Sequence, residues 1–472
     1  MYIQRIALII SVIITSVVYA QDLGFAQKLY SNHEQYKVNG LESRRIKHNE
    51  VLINNDRVKA ENPDFYSVQT VGRSIEGRQI QMISFGKGST DVLLWSQMHG
   101  NESTATRALF DLLNYFSLNQ QSNEVSRILS ELSIHVIPML NPDGAEQFQR
   151  ENALGIDLNR DALRLVSPEA QLLKRIRDSL NADYGFNLHD QSRYYNVSQT
   201  PKQASISFLA TAYNYEKEMN EKRRDAAQLI GYLHQINELY IPGHTGRYND
   251  DFEPRAFGDN IQLWGTRLIL IETGGFLGDR EKNAGRKLNY VLIGSALESI
   301  ASNSFESVSE SVYWNIPEND RNLFDLKVEG VTIEYNGVHY TLDLGINLEE
   351  AEATDKIGYS LSANVVDRGD LSTYFGYTTV DGSSSVLVVP KVYTKKIRSE
   401  KQFLELLSEG FGFSTKKNNG RFSFPYIEEK NPSLETAYRK GTFLLQSNGV
   451  ISTAVLNGNV IQLIDNNTFR IK

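Results

Sequence analysis

The chain has no cysteine among its 472 residues. That excludes disulfides, a thiol nucleophile, thiolate metal sites and a lipid-modified N-terminal cysteine, and leaves stability to the packed core. Basic runs are missing too. Against 57 Asp and Glu stand 49 Lys and Arg, a net charge of −8 with no basic block, so nucleic acid is not expected as a partner. There is no internal repeat and no low-complexity segment, and beyond residue 20 no apolar run is long enough to cross a bilayer. What is present is 40% hydrophobic and 22% charged residues, the composition of a soluble globular protein with ample core material. The length fits two or more domains.

Residues 1–20, "MYIQRIALIISVIITSVVYA", carry Arg5, an apolar run from Ile6 to Val18, and Val18-Tyr19-Ala20 at a cleavage point. This is the layout of a secretory signal peptide, too short to span a membrane comfortably. A secreted or periplasmic protein is expected, with no stable membrane insertion after cleavage.

Residues 21–60 read as a polar, helical lead-in. From 61 to 303 apolar runs alternate with amphipathic stretches. "DVLLWSQ" (91–97), "SIHVIPML" (133–140), "YGFNLH" (184–189) and "TRLILIE" (266–272) are continuous in hydrophobicity and of strand length. Between them a helical stripe follows Glu102, and "SPEAQLLKRIRDSL" (167–180) opens on a Ser cap with Pro in the first turn. Further helices are expected near 215–237 and 281–300. This alternation predicts an α/β fold with its sheet covered on both faces. From 304 to 472 short alternating strands with Gly and Asn turns predict a separate β-rich C-terminal domain, interrupted by one helix near 399–409.

The chemistry gathers at the ends of the predicted strands. In "HGNE", His99 follows a strand and Glu102 opens a helix, so both can reach one zinc ion at about 2 Å across the turn. His189, at the end of "FNLH", can point into the same crevice; two histidines and a carboxylate with an open fourth position make a catalytic zinc site. Glu272 emerges from an apolar strand into a Gly-rich turn, where it would serve as a general base. Arg150 and Arg160 could meet a carboxylate substrate or an oxyanion, with Asn159 donating beside them. Asp157 is a candidate partner for a ligand imidazole. His135, alternating within a strand, reads as a packed core residue.

These residues carry a resemblance. "VGRSIEGRQI" (71–80), "HGNE" (99–102), "NPDG" (141–144), "RENALGIDLNR" (150–160), "NLHD" (187–190) and "LIETGG" (270–275) stand in the order of the zinc carboxypeptidases of the pancreatic-type metallocarboxypeptidase family. The resemblance covers about residues 60–303. It implies a mixed, about eight-stranded sheet sandwiched between helices, and one zinc ion (Zn2+) held by His99, Glu102 and His189. It further implies that Glu272 activates water, Arg150 polarises the scissile carbonyl, Asn159 and Arg160 grip the substrate's terminal carboxylate, and Asp157 orients His99.

The chain departs from that family in two places. Asn101 stands where digestive members have arginine, and the loop 246–265, "GRYNDDFEPRAFGDNIQLWG", does not fit the family's spacing for a mobile tyrosine. Tyr248 and Arg255 are its candidates for contact with substrate; Arg255 in a pocket would favour an acidic side chain. Three functions follow: a metallocarboxypeptidase acting on peptides with a free C-terminal carboxylate, a zinc amidohydrolase acting on cell-wall peptides or N-acyl amino acids, or an inactive carboxypeptidase-like binding or adhesion protein. Arg368-Gly369-Asp370 reads as a turn between strands.

Overall fold

The computed structural model describes residues 23–352, 359–417, 422–465 and 468–471, so the expected signal peptide lies outside it. The chain divides into two compact units, residues 1–198 with 202–320 and residues 199–201 with 321–472. Ser304–Ser307 and the short helix Glu310–Trp314 belong to the first unit, where Val308 and Tyr313 join its core.

The first unit is built on eight strands: β1 (Ser67–Arg73), β2 (Gln79–Gly86), β3 (Thr90–Trp95), β4 (Leu132–Ile137), β5 (Tyr184–Asp190), β6 (Ile206–Leu209), β7 (Thr245–Arg247) and β8 (Arg267–Thr273). Their order is β1-β2-β4-β3-β5-β8-β6-β7. The four strands legible as apolar runs, β4, β3, β5 and β8, form the parallel centre; β2 on one side and β6 on the other join it antiparallel, and β1 pairs antiparallel with β2. Continuous hydrophobicity is what a strand buried on both faces requires. In β3, Val92 and Leu94 enter one core while Leu93 and Trp95 enter the other.

Helices α3 (Thr104–Leu118), α4 (Asn123–Glu131), α7 (Glu221–Tyr240) and α9 (Asn283–Ser302) close the first core, to which the short α5 (Pro142–Gln147) adds Ala145. Helices α6 (Pro168–Leu180) and α8 (Phe257–Leu263) close the second. Each large aliphatic or aromatic side chain buried there contributes on the order of 1.5–3 kcal/mol. Helix α6 starts as its sequence predicts: Ser167 accepts from the Ala170 amide, Pro168 fills the first turn, and Asn181 ends the helix in a left-handed conformation.

The lead-in is woven into this unit. Its first helix, α1 (residues 23–36), places Phe25, Ala26 and Leu29 in the first core, and α2 (His48–Glu61) follows. Asp111, fully buried on α3, accepts two bonds from Arg286 of α9 at 2.7 and 2.6 Å, one from the Val38 amide at 2.8 Å, and faces His33 Nε2 at 2.9 Å. Arg286 also donates to the carbonyls of Val38 and Leu41, so every charge in this buried set is paired.

His135 is not the core residue its alternation suggested. It lies half-buried in the middle of β4, with Nδ1 2.9 Å from Ser84 Oγ and Nε2 3.1 Å from Asp91.

The second unit is a nine-stranded, mainly antiparallel sheet running from Leu323–Tyr335 to Thr468–Ile471, with the expected helix at Glu400–Ser408. Arg368 and Gly369 end the strand Tyr359–Gly369, and Asp370 begins the turn after it, its carboxylate accepting from the Ser372 amide. Among the described residues no helix is long and apolar enough to cross a membrane.

Candidate metal centre

Strand β3 delivers the first two donors. After Trp95 the chain turns through Ser96–Ser103, and the Glu102 amide donates to the His99 carbonyl at 3.1 Å, closing a tight turn before α3. The "NPDG" segment braces it. Asn141 accepts from the Gly144 amide and donates to the Met98 carbonyl, while a Cβ on Gly100 would fall 2.0 Å from the Gly144 carbonyl carbon. Only glycine permits that backbone contact. Strand β5 carries His189 one residue before its end, and its register partner on β8 is Glu272. All four side chains therefore stand at carboxyl ends of parallel strands, where open α/β sheets place their ligand sites.

His99 Nδ1 lies 2.8 Å from Glu102 Oε1, and His189 Nδ1 lies 2.8 Å from Glu102 Oε2. The ligand atoms of the three residues all fall within 4.8 Å of one another, and all three residues are buried. The other nitrogen of His99, Nε2, is 3.0 Å from Asp157 Oδ1, which fixes the ring and turns Nδ1 toward Glu102. Among the described residues His189 Nε2 is buried without a hydrogen-bond partner, and the ring's hydrogen bond runs through Nδ1. Two imidazole nitrogens and a carboxylate without thiolate suit zinc, and the cluster can hold it.

Burial and mutual charge set the electrostatics of the cluster. Burial disfavours charge on His99, yet Glu102 and Asp157 outweigh it and push its pKa up to about 9. His189 is pushed down by its burial. Glu102, although buried, is held well below the usual carboxylate range by the two imidazoles. Arg150, partly exposed, lies over the cluster: Nε donates to Asp157 at 3.0 Å, and Nη1 lies 3.1 Å from His99 Nδ1 and 3.4 Å from Glu102.

Glu272 is different. Its half-buried carboxyl forms no hydrogen bond or ion pair among the described residues, and burial together with the charge of Glu102 raises its pKa well above normal. Tyr248 follows β7 directly, its amide donating to the Phe208 carbonyl at 3.0 Å. Burial, then Glu272 and Tyr195, raise its hydroxyl pKa, and its ring stands 5.6 Å from that of Tyr195. Tyr195, which no motif flagged, thus joins the group through Tyr248.

Asn159, Arg160 and Arg255 form a second group. Asn159 Oδ1 accepts from the Phe257 amide at 2.9 Å, and Arg160 lies 3.6 Å from Glu253. Arg255 is not drawn into the cluster; its exposed side chain forks onto Glu253 at 3.0 and 3.1 Å. Glu253 therefore sits between the two arginines, a local pairing that the sequence reading missed.

Beneath it, Asp259 accepts from the Glu253 amide at 3.1 Å, and burial pushes its pKa up to about 7 from 3.8. Between those values the unfolded chain ionises first, so the cost to folding grows as pH rises from about 4 to 7 and is complete above 7. Asp259→Asn, which keeps an acceptor oxygen, should stabilise the protein by about 2–4 kcal/mol at pH 8, and by clearly less at pH 5. Urea unfolding at the two pH values checks this; a gain independent of pH would contradict it.

Residues 54–205 match the family model described as zinc carboxypeptidase. The matched segment contains His99, Glu102, Arg150, Asp157, Asn159, Arg160 and His189, and ends before Tyr248, Arg255 and Glu272. Among curated relatives, the human (Homo sapiens) carboxypeptidase N catalytic chain is 27% identical over 126 residues, covering 22% of this chain and 28% of that protein. Carboxypeptidase E of Caenorhabditis elegans is 32% identical over 120 residues, covering 21% and 25%. The matches thus span about a quarter of the relatives' length. A solved metallo-carboxypeptidase from Burkholderia cenocepacia aligns at 17% identity with a TM-score of 0.42, covering 54% of this chain and 68% of that one.

Proposed function

We propose that this chain, which carries a zinc carboxypeptidase domain, is an exported metallocarboxypeptidase that hydrolyses the C-terminal peptide bond of peptides. The observation that carries the reading is the convergence of His99, Glu102 and His189 within 4.8 Å, with the unpartnered carboxyl of Glu272 on the adjoining strand. Export rests on the apolar segment Ile6–Val18 behind Arg5.

His99, Glu102 and His189 would hold one zinc, which supplies a Lewis acid and makes water acidic near neutral pH. Asp157 keeps His99 in the tautomer whose Nδ1 is a donor atom. Glu272, whose carboxyl has no hydrogen-bond or ion-pair partner among the described residues, takes the proton of the attacking water and passes it to the leaving amine. Arg150 is held by Asp157 at the rim, where its guanidinium can steady the negative charge that develops on the carbonyl oxygen. Asn159 and Arg160 receive the substrate's terminal carboxylate, which displaces Glu253 from Arg160. An exposed ion pair of that kind is worth only about 0–1 kcal/mol, so the exchange is easy.

The test compares an N-blocked dipeptide with the same dipeptide amidated at its C-terminus. The free acid should be cleaved with a kcat/KM about 100-fold higher or more, because the amide leaves Arg160 without its anion. Equal rates would remove Arg160 from this role and turn the reading from carboxypeptidase to a less selective amidase.

A further inference from the structure

Lys282 is a buried cation near the cluster that the mechanism does not use. It is 8% exposed, and a buried ammonium persists only where acceptors surround it. Nζ donates to the Thr273 carbonyl at 2.6 Å and to the Gln191 carbonyl at 3.1 Å, and lies 3.6 Å from Asp190 Oδ2. Thr273 follows Glu272 on β8, and Asp190 follows His189 on β5. The same Asp190 oxygen accepts from Thr104 Oγ1 at 2.7 Å, at the first residue of α3, and the Asp190 amide donates to Glu102 Oε2 at 3.1 Å. The Thr273 carbonyl also accepts the Gln191 amide at 3.0 Å, so the ammonium adds to a point where the ends of β5 and β8 already meet. Lys282 adopts φ +53° to reach them, a left-handed conformation that costs a non-glycine residue about 1–3 kcal/mol unless its surroundings require it.

We propose that Lys282 is a positioning residue: it ties together the ends of β5 and β8 and, through Asp190, the start of α3, and so sets the spacing among His189, Glu272 and Glu102. The inference rests on the metallopeptidase reading for its kinetic consequence and on the donor cluster alone for its effect on zinc. A lysine with only a structural role would change stability and leave the site's spacing intact. A positioning lysine changes zinc retention and turnover together while sparing substrate binding, because Asn159 and Arg160 lie on a different segment.

The experiment uses the full-length zinc-loaded protein as wild type, Lys282→Met and Lys282→Gln. It reads zinc retention against a competing chelator, kcat and KM on a blocked dipeptide, and the Tm of the zinc-free protein. Lys282→Met should release zinc about 10–100-fold more readily and lose kcat by a similar factor with KM changed less than about threefold. Lys282→Gln keeps one donor without the charge and should fall between the two. A Lys282→Met protein that holds zinc and turns over within about twofold of wild type, with only Tm lowered, would overturn the proposal. If Lys282→Met does not fold, Lys282→Gln decides, and wild-type zinc retention in that variant would overturn it equally. Should wild type hold zinc yet release no C-terminal residue, the peptidase reading fails, while the chelator competition still decides the role of Lys282.

Discussion

Glu272→Gln is expected to keep its zinc and lose about 10³-fold in kcat, within the usual range for removing a general base. The substitution is clean because the Glu272 carboxyl has no hydrogen-bond or ion-pair partner among the described residues, so the amide leaves nothing newly unpaired. It also removes a charge that the site disfavours. Burial and the charge of Glu102 raise the Glu272 pKa above its unfolded value. Its ionised form therefore costs folding stability, a cost that appears as pH rises above the normal carboxylate range and persists at neutrality. In the zinc-free protein the variant should thus be as stable as wild type or more so at pH 7, and the zinc-loaded variant nearly inactive. Zinc analysis, steady-state kinetics and thermal unfolding of the one variant check all three statements. Loss of zinc together with activity would make Glu272 a ligand rather than a base; retained activity would remove it from the mechanism.

Glu102→Gln should have the opposite signature. Glu102 faces both Nδ1 atoms at 2.8 Å and accepts the Asp190 amide at 3.1 Å, so one carboxylate organises the whole cluster. An amide in its place presents one oxygen and one NH2 group. The nitrogen has no free lone pair to offer a metal, and the negative charge of the carboxylate is gone. Zinc retention should fall about 100-fold or more, and activity should fall with it. In the zinc-free state His99 loses the nearby carboxylate that raises its pKa, leaving Asp157 as its remaining acidic partner. The two variants together separate holding the metal from moving the proton: Glu272→Gln loads and does not turn over, Glu102→Gln does not load. Zinc retained by Glu102→Gln at wild-type strength would exclude Glu102 as a ligand.

Some of this was legible in the sequence because one physical constraint dominated locally. β3, β4, β5 and β8 are buried on both faces, so each reads as an unbroken apolar run. A polar residue at the end of such a run, like His99, His189 or Glu272, stands out for that reason. Helix α6 announced itself through Ser167 and Pro168, where capping chemistry is local. Other features depend on partners far along the chain. The lead-in looks merely polar, because its attachment runs through Asp111, 78 residues from His33, and through Arg286, 175 residues beyond Asp111. His135 kept the strand alternation yet found Ser84 and Asp91 rather than an apolar neighbour. Arg255 suggested a specificity pocket, but Glu253, two residues away, takes both arms of its guanidinium. Lys282 lies outside every motif, and its role depends on three elements meeting at one point.

The most direct test of the metal centre is zinc K-edge X-ray absorption on the purified full-length protein, together with its zinc content. The account predicts about one zinc per chain, bound by two imidazole nitrogens and by oxygen, at distances of about 2.0–2.2 Å. A protein that retains no zinc, or one whose zinc has no imidazole in its coordination shell, would contradict it.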